Sequence, residues 1–406
     1  MANLRYDKEI TAATNDDANV SWRLTRAAKL LGIEYPIIQA PFGGLPSQRL
    51  TATVSNFGGL GSLGAVTLGS SVIKEVIGEI RSLTKKPFAI NLWVSTSDQD
   101  ASHKSADAID QAIQSYAAYY AELGIERPSH AEAKSPDFEA QVASAIEARA
   151  PVLSFTFGIP PAEILTECRK QGTRTIGTAT TPEEAVALEK AGLELIVASG
   201  FEGGGHRGSF LRSATDSLIG SISLIPQVVD AVRVPVIAAG GIADARGIAA
   251  ALALGAEGVQ IGTAFLPCAG SGASKPHVAA VLSEAAKRSG LTDAFTGRLA
   301  RGLKNRLMDE LGDRSSPPLP FPSQHTAIQT FARPASEQGK TELMTLWAGQ
   351  SASLCRCTDA TELMTRLIAG TDAYFSKHVS ARRSSGSASF DVTRPSQSDW
   401  RLGFCC

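Results

Sequence analysis

The stretch Gly200–Gly208 reads Gly-Phe-Glu-Gly-Gly-Gly-His-Arg-Gly and carries the clearest chemistry in the chain. Consecutive glycines after an apolar run waste chain entropy unless the backbone must pass close to something flat or tight, such as a flavin ring or its ribityl chain. His206 follows at once. An imidazole titrates near neutral pH, so it can take a proton from a weakly acidic carbon or hold a developing anion; otherwise it caps a turn. Gly240-Gly241 and Gly262-Thr263 each end an apolar run. Glycine there lets amide N–H groups reach phosphate oxygens with no Cβ in the way, although each pair alone also fits an ordinary tight turn. Asn91 is a polar side chain inside Ala-Ile-Asn-Leu-Trp-Val, and Thr178 lies in Gly177-Thr178-Ala179-Thr180 at the end of another run. Glu202 and Arg207 flank the histidine and pair with each other or with neighbours; neither is assigned chemistry. Arg298, Arg301, Lys304 and Arg306 fit contact with an anionic substrate or a solvated helix face equally. His103, His130, His277, His325 and His378 fall in polar stretches and are predicted at the surface.

These residues must be positioned by the apolar runs they terminate. Strands are predicted at 37–40, 60–65, 88–94, 152–157, 175–178, 195–199, 236–239 and 258–262. Helical patterns fall between them, at 22–31, 50–57, 72–83, near 110–123, 137–149, 161–171, 182–191, 221–232 and 244–254. Gly172, Gly192 and Gly255 close helices just before the next strand, and Pro182 sits in a first turn. Eight buried strands alternating with helices predict a parallel sheet, and eight repeats favour a closed (β/α)8 TIM barrel over an open doubly wound sheet. In such a barrel the active site lies at the C-terminal strand ends, where Asn91, Thr178, the Gly200–Gly208 loop, Gly240-Gly241 and Gly262-Thr263 fall. Residues 266–345 break the rhythm and are expected to form a smaller inserted domain after strand eight that covers the barrel mouth. Its Ser-Ser-Pro-Pro-Leu-Pro-Phe-Pro-Ser-Gln-His run is expected to be neither helix nor strand. The barrel would comprise 1–265 and 346–380, with 346–378 supplying the last helix, and 381–406 would be a disordered tail.

Composition narrows the partners. The chain has 406 residues, more than the roughly 250 of one barrel, which leaves room for the insertion. A formal net charge of −1 offers no excess to neutralise a phosphate backbone, so nucleic acid is not expected. No run of about 18 apolar residues appears, and the first residues lack the apolar core of a secretory signal. The six cysteines show no metal-ligand spacing, which predicts free thiols, no bound metal and a reducing, cytoplasmic setting. The terminal Cys405-Cys406 lacks the upstream basic cluster of a doubly prenylated tail.

The chain resembles the nitronate monooxygenases, formerly 2-nitropropane dioxygenases, most closely their class I branch. The similarity covers about residues 24–370. Its carriers, in order, are QAPFGG (39–44), PFAINL (87–92), SFTFGIPP (154–161), IGTATTPEEA (176–185), GFEGGGHRGSFL (200–211), PVIAAGGIADARG (235–247), GVQIGTAF (258–265), GRLARG (297–302) and LWAGQSASL (346–354). The resemblance implies an FMN-binding barrel that oxidises alkyl nitronates with O2 to a carbonyl compound and nitrite, with His206 as catalytic base for nitroalkanes. It implies that Ala40, Pro41 and Phe42 border the flavin, that Asn91 contacts it, and that Gly203 and Gly204 lie near it. Gly240, Gly241, Gly262 and Thr263 would hold its phosphate, with Thr178 in the same cofactor site. Phe42 stands where the family usually has methionine, and Gly203-Gly204-Gly205 replaces its usual Ala-Gly-Gly. An FMN-dependent NAD(P)H:quinone or enoyl reductase on the same barrel remains the alternative. A phosphosugar isomerase or aldolase lacks a conspicuous lysine or carboxylate at a strand end, and an inactive FMN-binding protein would be yellow without turnover. The oligomeric state is not legible.

Overall fold

Short runs of branched and small apolar residues bounded by glycine and proline suit strands buried on both faces. In the computed structural model, which describes residues 22–94, 106–133, 135–314 and 316–384, eight such runs form one parallel sheet. They are β1 (Ile37–Gln39), β2 (Gly61–Gly64), β3 (Phe88–Trp93), β4 (Val152–Thr156), β5 (Arg174–Ala179), β6 (Leu195–Ser199), β8 (Val236–Ala239) and β9 (Gly258–Ile261). The order is β1-β9-β8-β6-β5-β4-β3-β2. The sheet closes on itself through Ile38 and Leu60: Gln39 N–H donates to Leu60 O at 2.9 Å and Leu60 N–H to Ile37 O at 2.9 Å. This is the (β/α)8 barrel that the sequence predicts.

Inward-pointing side chains stack in layers. Ile38, Ala89, Val152, Ile176, Val197 and Ile237 form one cluster inside the barrel, and Ala27 and Leu31 of helix Arg26–Leu31 pack into its lower end. Side chains two residues apart on a strand share a face. Ala40, Asn91, Ser154 and Thr178 therefore stand directly above Ile38, Ala89, Val152 and Ile176, in the layer that opens to the mouth.

Residues 266–345 form helices Lys275–Val281, Arg306–Gly312 and Ser323–Glu337 together with strands β10 (Ser289–Thr292) and β11 (Ala300–Leu303). A two-residue strand, β7 (Gly205–His206), joins them in an antiparallel sheet ordered β10-β11-β7. No sequence pattern announces β7, because its partner lies almost a hundred residues away. Of the two readings left open for 296–307, the solvated helix face gives way between Ala300 and Leu303 to β11, in which Arg301 is buried. The proline-rich run is irregular only up to Pro322; Ser323, Gln324 and His325 open a helix. The stretch near 110–123 is two helices, Ala106–Ser115 and Ala117–Leu123. They pack on helix Ser323–Glu337, with Tyr116, Tyr119 and Tyr120 around Phe331 at ring separations of 5.4, 4.9 and 6.0 Å. Residues 346–359 run across the mouth, and the last helix begins only at Ala360. The expected tail 381–406 lies almost wholly outside the described residues. Cys168, Cys268, Cys355 and Cys357 are free thiols, all buried. No helix among the described residues is long and apolar enough to cross a membrane.

One glycine shows how closely the layers meet. A Cβ on Gly61 would lie 1.9 Å from Thr51 O, so helix Gln48–Asn56 rests directly on the backbone of β2. Gly61→Ala is expected to cost about 1–3 kcal/mol or more through overpacking. Gly78→Ala, inside helix Ser70–Leu83 with open space around it, is expected to gain about 0.5–1 kcal/mol. Thermal unfolding of the two variants checks the pair, and equal midpoints would contradict the close contact.

Candidate active site

Strand β6 delivers the chain into the glycine-rich loop, and two buried charged residues hold that loop in place. Arg207 donates to the carbonyl oxygens of Ser199, Thr180 and Ser217. Its guanidinium is pushed down to about 10 by burial, against the pull of Glu184 and Glu202. Glu202 turns away from Arg207 and accepts from Ser221 N–H at 2.8 Å and Ser221 Oγ at 3.0 Å, at the N-terminus of helix Ser221–Ala231. Glu184 accepts from Thr180 N–H and Oγ1 at 2.7 and 2.6 Å and from Phe210 N–H at 2.6 Å. Neither flanking residue pairs with the other, and both are framework for the loop.

His206 projects from β7 into a ring of aromatic side chains. Its ring centre lies 4.9 Å from Trp93, 5.3 Å from Trp347, 6.2 Å from Phe321 and 6.3 Å from Phe157. His206 Nε2 meets Thr296 Oγ1 at 2.9 Å. The Arg298 guanidinium lies over Phe157, Phe321 and Trp93, at 4.3, 4.8 and 5.7 Å. Burial, with His325 and Arg298 beside it, pushes the His206 imidazole down to about 3, so the ring is neutral across the physiological range. Phe157 holds a left-handed φ of 68°. A bulky residue pays about 1–3 kcal/mol for such a conformation, and strain of this kind clusters at functional sites.

A second cluster lies across the mouth, on the ends of β8, β9 and β1. Gly240 and Gly241 turn with φ of 96° and 73°. A Cβ on Gly262 would lie 3.3 Å from Ala40 Cβ, which sets Ala40, Pro41 and Phe42 beside Gly262 and Thr263. Residues 349–351 complete the cluster. Gly349 N–H donates to Thr263 Oγ1 at 2.9 Å, Gln350 N–H to Glu202 O at 2.9 Å, and Ser351 Oγ to Gly241 O. Gly204 packs so tightly here that a Cβ would lie 2.6 Å from the Ala348 carbonyl carbon. Among the described residues no turn or loop hydrogen bond takes the amide of Gly241 or Thr263. Two uncommitted amides on glycine-lined loops, one opening the short helix Thr263–Phe265, make a cradle that can hold a phosphate. Asn91 is buried between the two clusters and donates through Nδ2 to Ser154 Oγ at 3.0 Å and Ser154 O at 3.2 Å. Thr178 lies beneath Gly208, whose Cβ would meet Thr178 Cγ2 at 3.6 Å.

The sequence-predicted residues thus gather at one mouth, in two groups. Sequence reasoning missed Trp93, although the strand period places it two residues above Asn91 on the same face. It missed Thr296 and Trp347, which the fold brings in from the insertion and from the segment after it. Two histidines expected at the surface are not there. His277 is buried, with Nε2 at 2.9 Å from Trp347 O, and His325 packs against Phe321. Helix packing, which a polar neighbourhood in sequence conceals, buries His277 and half-buries His325. His130 is exposed as expected, His103 lies outside the described residues, and the side chain of His378 is likewise not described.

Comparison with known proteins agrees with this geometry. A family model described as nitronate monooxygenase matches residues 25–370. A probable nitronate monooxygenase of Staphylococcus aureus (strain Newman) is 38% identical over 348 residues, 86% of this chain and 97% of that protein. Among solved structures, nitroalkane oxidase from Streptomyces ansochromogenes is 35% identical with a TM-score of 0.76, covering 87% of this chain and 99% of its own. FabK from Thermotoga maritima is 26% identical with a TM-score of 0.69, covering 88% and 99%. With its barrel, its glycine-rich histidine loop and these relatives, the chain belongs to the nitronate monooxygenase family of oxidoreductases.

Proposed function

We propose that the protein oxidises small alkyl nitronates with molecular oxygen, giving a carbonyl compound and nitrite, and that FMN is its cofactor. The observation that carries the substrate is the setting of His206: an imidazole enclosed by Trp93, Trp347, Phe321 and Phe157 with the Arg298 guanidinium alongside. Burial and the cationic neighbour lower the basicity of that ring, and a weakened base drives proton removal from carbon less well. A preformed nitronate needs no such step, and an adjacent guanidinium favours its charge. A neutral nitroalkane would be the slower substrate, with His206 removing its α-proton.

The cradle fits FMN in its donor chemistry. Gly240, Gly241, Gly262 and Thr263 would hold the phosphate, with Gly349, Gln350 and Ser351 bracing them. Ala40, Pro41 and Phe42 would border the ring system, Gly203 and Gly204 would let it approach the loop backbone, and Asn91 and Thr178 would line the floor. When bound, FMN supplies the electron transfer between nitronate and oxygen. The protein's own part is to hold the anion among Trp93, Phe157, Phe321 and Trp347 and to keep His206 neutral. Residues 266–345 would act as the substrate-covering domain, on the barrel formed by 1–265 and 346–380.

Several outcomes are expected. FMN-loaded protein given a small alkyl nitronate should consume oxygen and release nitrite in matching amounts. If it does neither but its flavin bleaches with NAD(P)H under anaerobic conditions, the function is that of a reductase. His206→Asn should lower nitroalkane turnover by about a hundredfold or more while sparing most nitronate turnover. Equal loss on both substrates would remove the base assignment. Because Arg298, His325 and burial all push the imidazole below its ordinary value, NMR titration of the His206 ring should find it neutral from about pH 8 down to about pH 5. Protonation near pH 6 would contradict the neutral site.

A further inference from the structure

The hydroxyl of Thr296 has one proton to give and two neighbours that could take it. Thr296 is almost wholly buried, at 1% exposure, so solvent does not resolve the competition. Its Oγ1 lies 3.2 Å from Arg298 O and 2.9 Å from His206 Nε2, and it accepts from Arg298 N–H at 3.3 Å. If the hydroxyl donated to Nε2, the Arg298 carbonyl would lose the donor that the turn at 296–298 provides. If it donates to that carbonyl, its remaining lone pair is free to accept Nε2–H, and the carbonyl, the hydroxyl and Nε2 are all paired. The backbone fixes the meeting on both sides, because His206 pairs with Ala300 and Arg207 N–H donates to Leu299 O at 2.8 Å.

We propose that Thr296 is a positioning residue that holds His206 in the tautomer protonated on Nε2, so that Nδ1 carries the lone pair used on substrate. Among the described residues no group hydrogen-bonds Nδ1. For a nitroalkane the Cα–H bond breaks, its electron pair stays on the substrate as the nitronate, and the proton goes to Nδ1. The same tautomer offers a preformed nitronate no ring N–H, which leaves its charge to the Arg298 guanidinium. The catalytic part of this inference rests on the reading of His206 as base; the tautomer assignment does not.

The test uses ring-nitrogen NMR shifts of FMN-loaded wild-type protein, Thr296→Val and Thr296→Ser, with kinetics on a nitroalkane and its nitronate. The wild type and Thr296→Ser should show Nε2 protonated and Nδ1 bare, whereas Thr296→Val should show a tautomer mixture. Thr296→Val should lower kcat for the nitroalkane by about ten- to a hundredfold with KM little changed. It should leave the nitronate rate within about twofold, and Thr296→Ser should restore the loss. A wild-type ring protonated on Nδ1 overturns the proposal, and so does a Thr296→Val ring unchanged from wild type. Should Thr296→Val fail to fold, the wild-type spectrum still decides. If His206→Asn retains nitroalkane turnover while the wild-type ring is protonated on Nε2, the base reading fails and the tautomer assignment stands.

Discussion

Gly205 and His206 pair in antiparallel register with Arg301 and Ala300, and the site exists only because of that ladder. A barrel alone would leave the loop after β6 as an open, glycine-rich segment with a large entropy to lose. The ladder gives the loop backbone an edge to bond to, and that edge is supplied by the insertion. It brings Thr296, Arg298 and Phe321 to the imidazole, while β11 bonds onward to the mouth segment through Leu303 N–H and Leu346 O at 2.7 Å. Trp347 is thereby carried to the opposite side of the same ring. The barrel thus provides a floor of Asn91, Ser154 and Thr178, and the walls come from Trp93 and Phe157 of the barrel, Phe321 of 266–345 and Trp347 of the mouth segment.

The charged residues around the loop answer a second requirement of the same arrangement. Three consecutive glycines can follow almost any path, so the path must be fixed from outside. Arg207 holds carbonyls from three separate segments, and Glu184 gathers amides from two. Truncating Arg207 would leave three carbonyls without this donor, at about 1–3 kcal/mol for each buried group left unsatisfied. The position of these charged residues beside His206 suggests acid–base work. Their hydrogen bonds to the backbone of neighbouring segments show instead why the histidine stays where it is.

What was legible in the sequence follows from the range of the interactions concerned. All eight barrel strands were readable because each is set by a local apolar run with a glycine or proline at its boundary. The gathering of the two glycine pairs and His206 at one mouth was readable because each follows a barrel strand in the chain. Strand β7, the burial of His277, and the closing helix that starts at Ala360 rather than 346 were not. The first two depend on contacts across the fold: β7 on β11 and His277 on the Trp347 carbonyl. The segment 346–354 was recognisable by resemblance, yet its bracing of Thr263 and Gly241 emerged only from the folded chain.

The fold by itself does not choose between oxidation of a nitronate and reduction by a nicotinamide, since one barrel hosts both kinds of chemistry. The choice lies in the space above His206. Trp93 meets Phe157 edge-on at 4.7 Å and Phe321 at a tilt at 5.4 Å, and Trp347 closes the far side. A nicotinamide nucleotide would need a channel wide enough for a second large aromatic cofactor, lined by groups for its own phosphates. The rings here approach one another from β3, β4, the insertion and the mouth segment, and the cationic group among them is stacked on aromatic faces. On the proposed reading the guanidinium would carry the attraction for a small anion, because aromatic faces are electronegative and draw cations, and the rings would serve to exclude water. The neutral imidazole belongs to the same design: a protonated ring packed against Arg298 would pit two buried cations against each other, and the protein avoids this by leaving the ring uncharged.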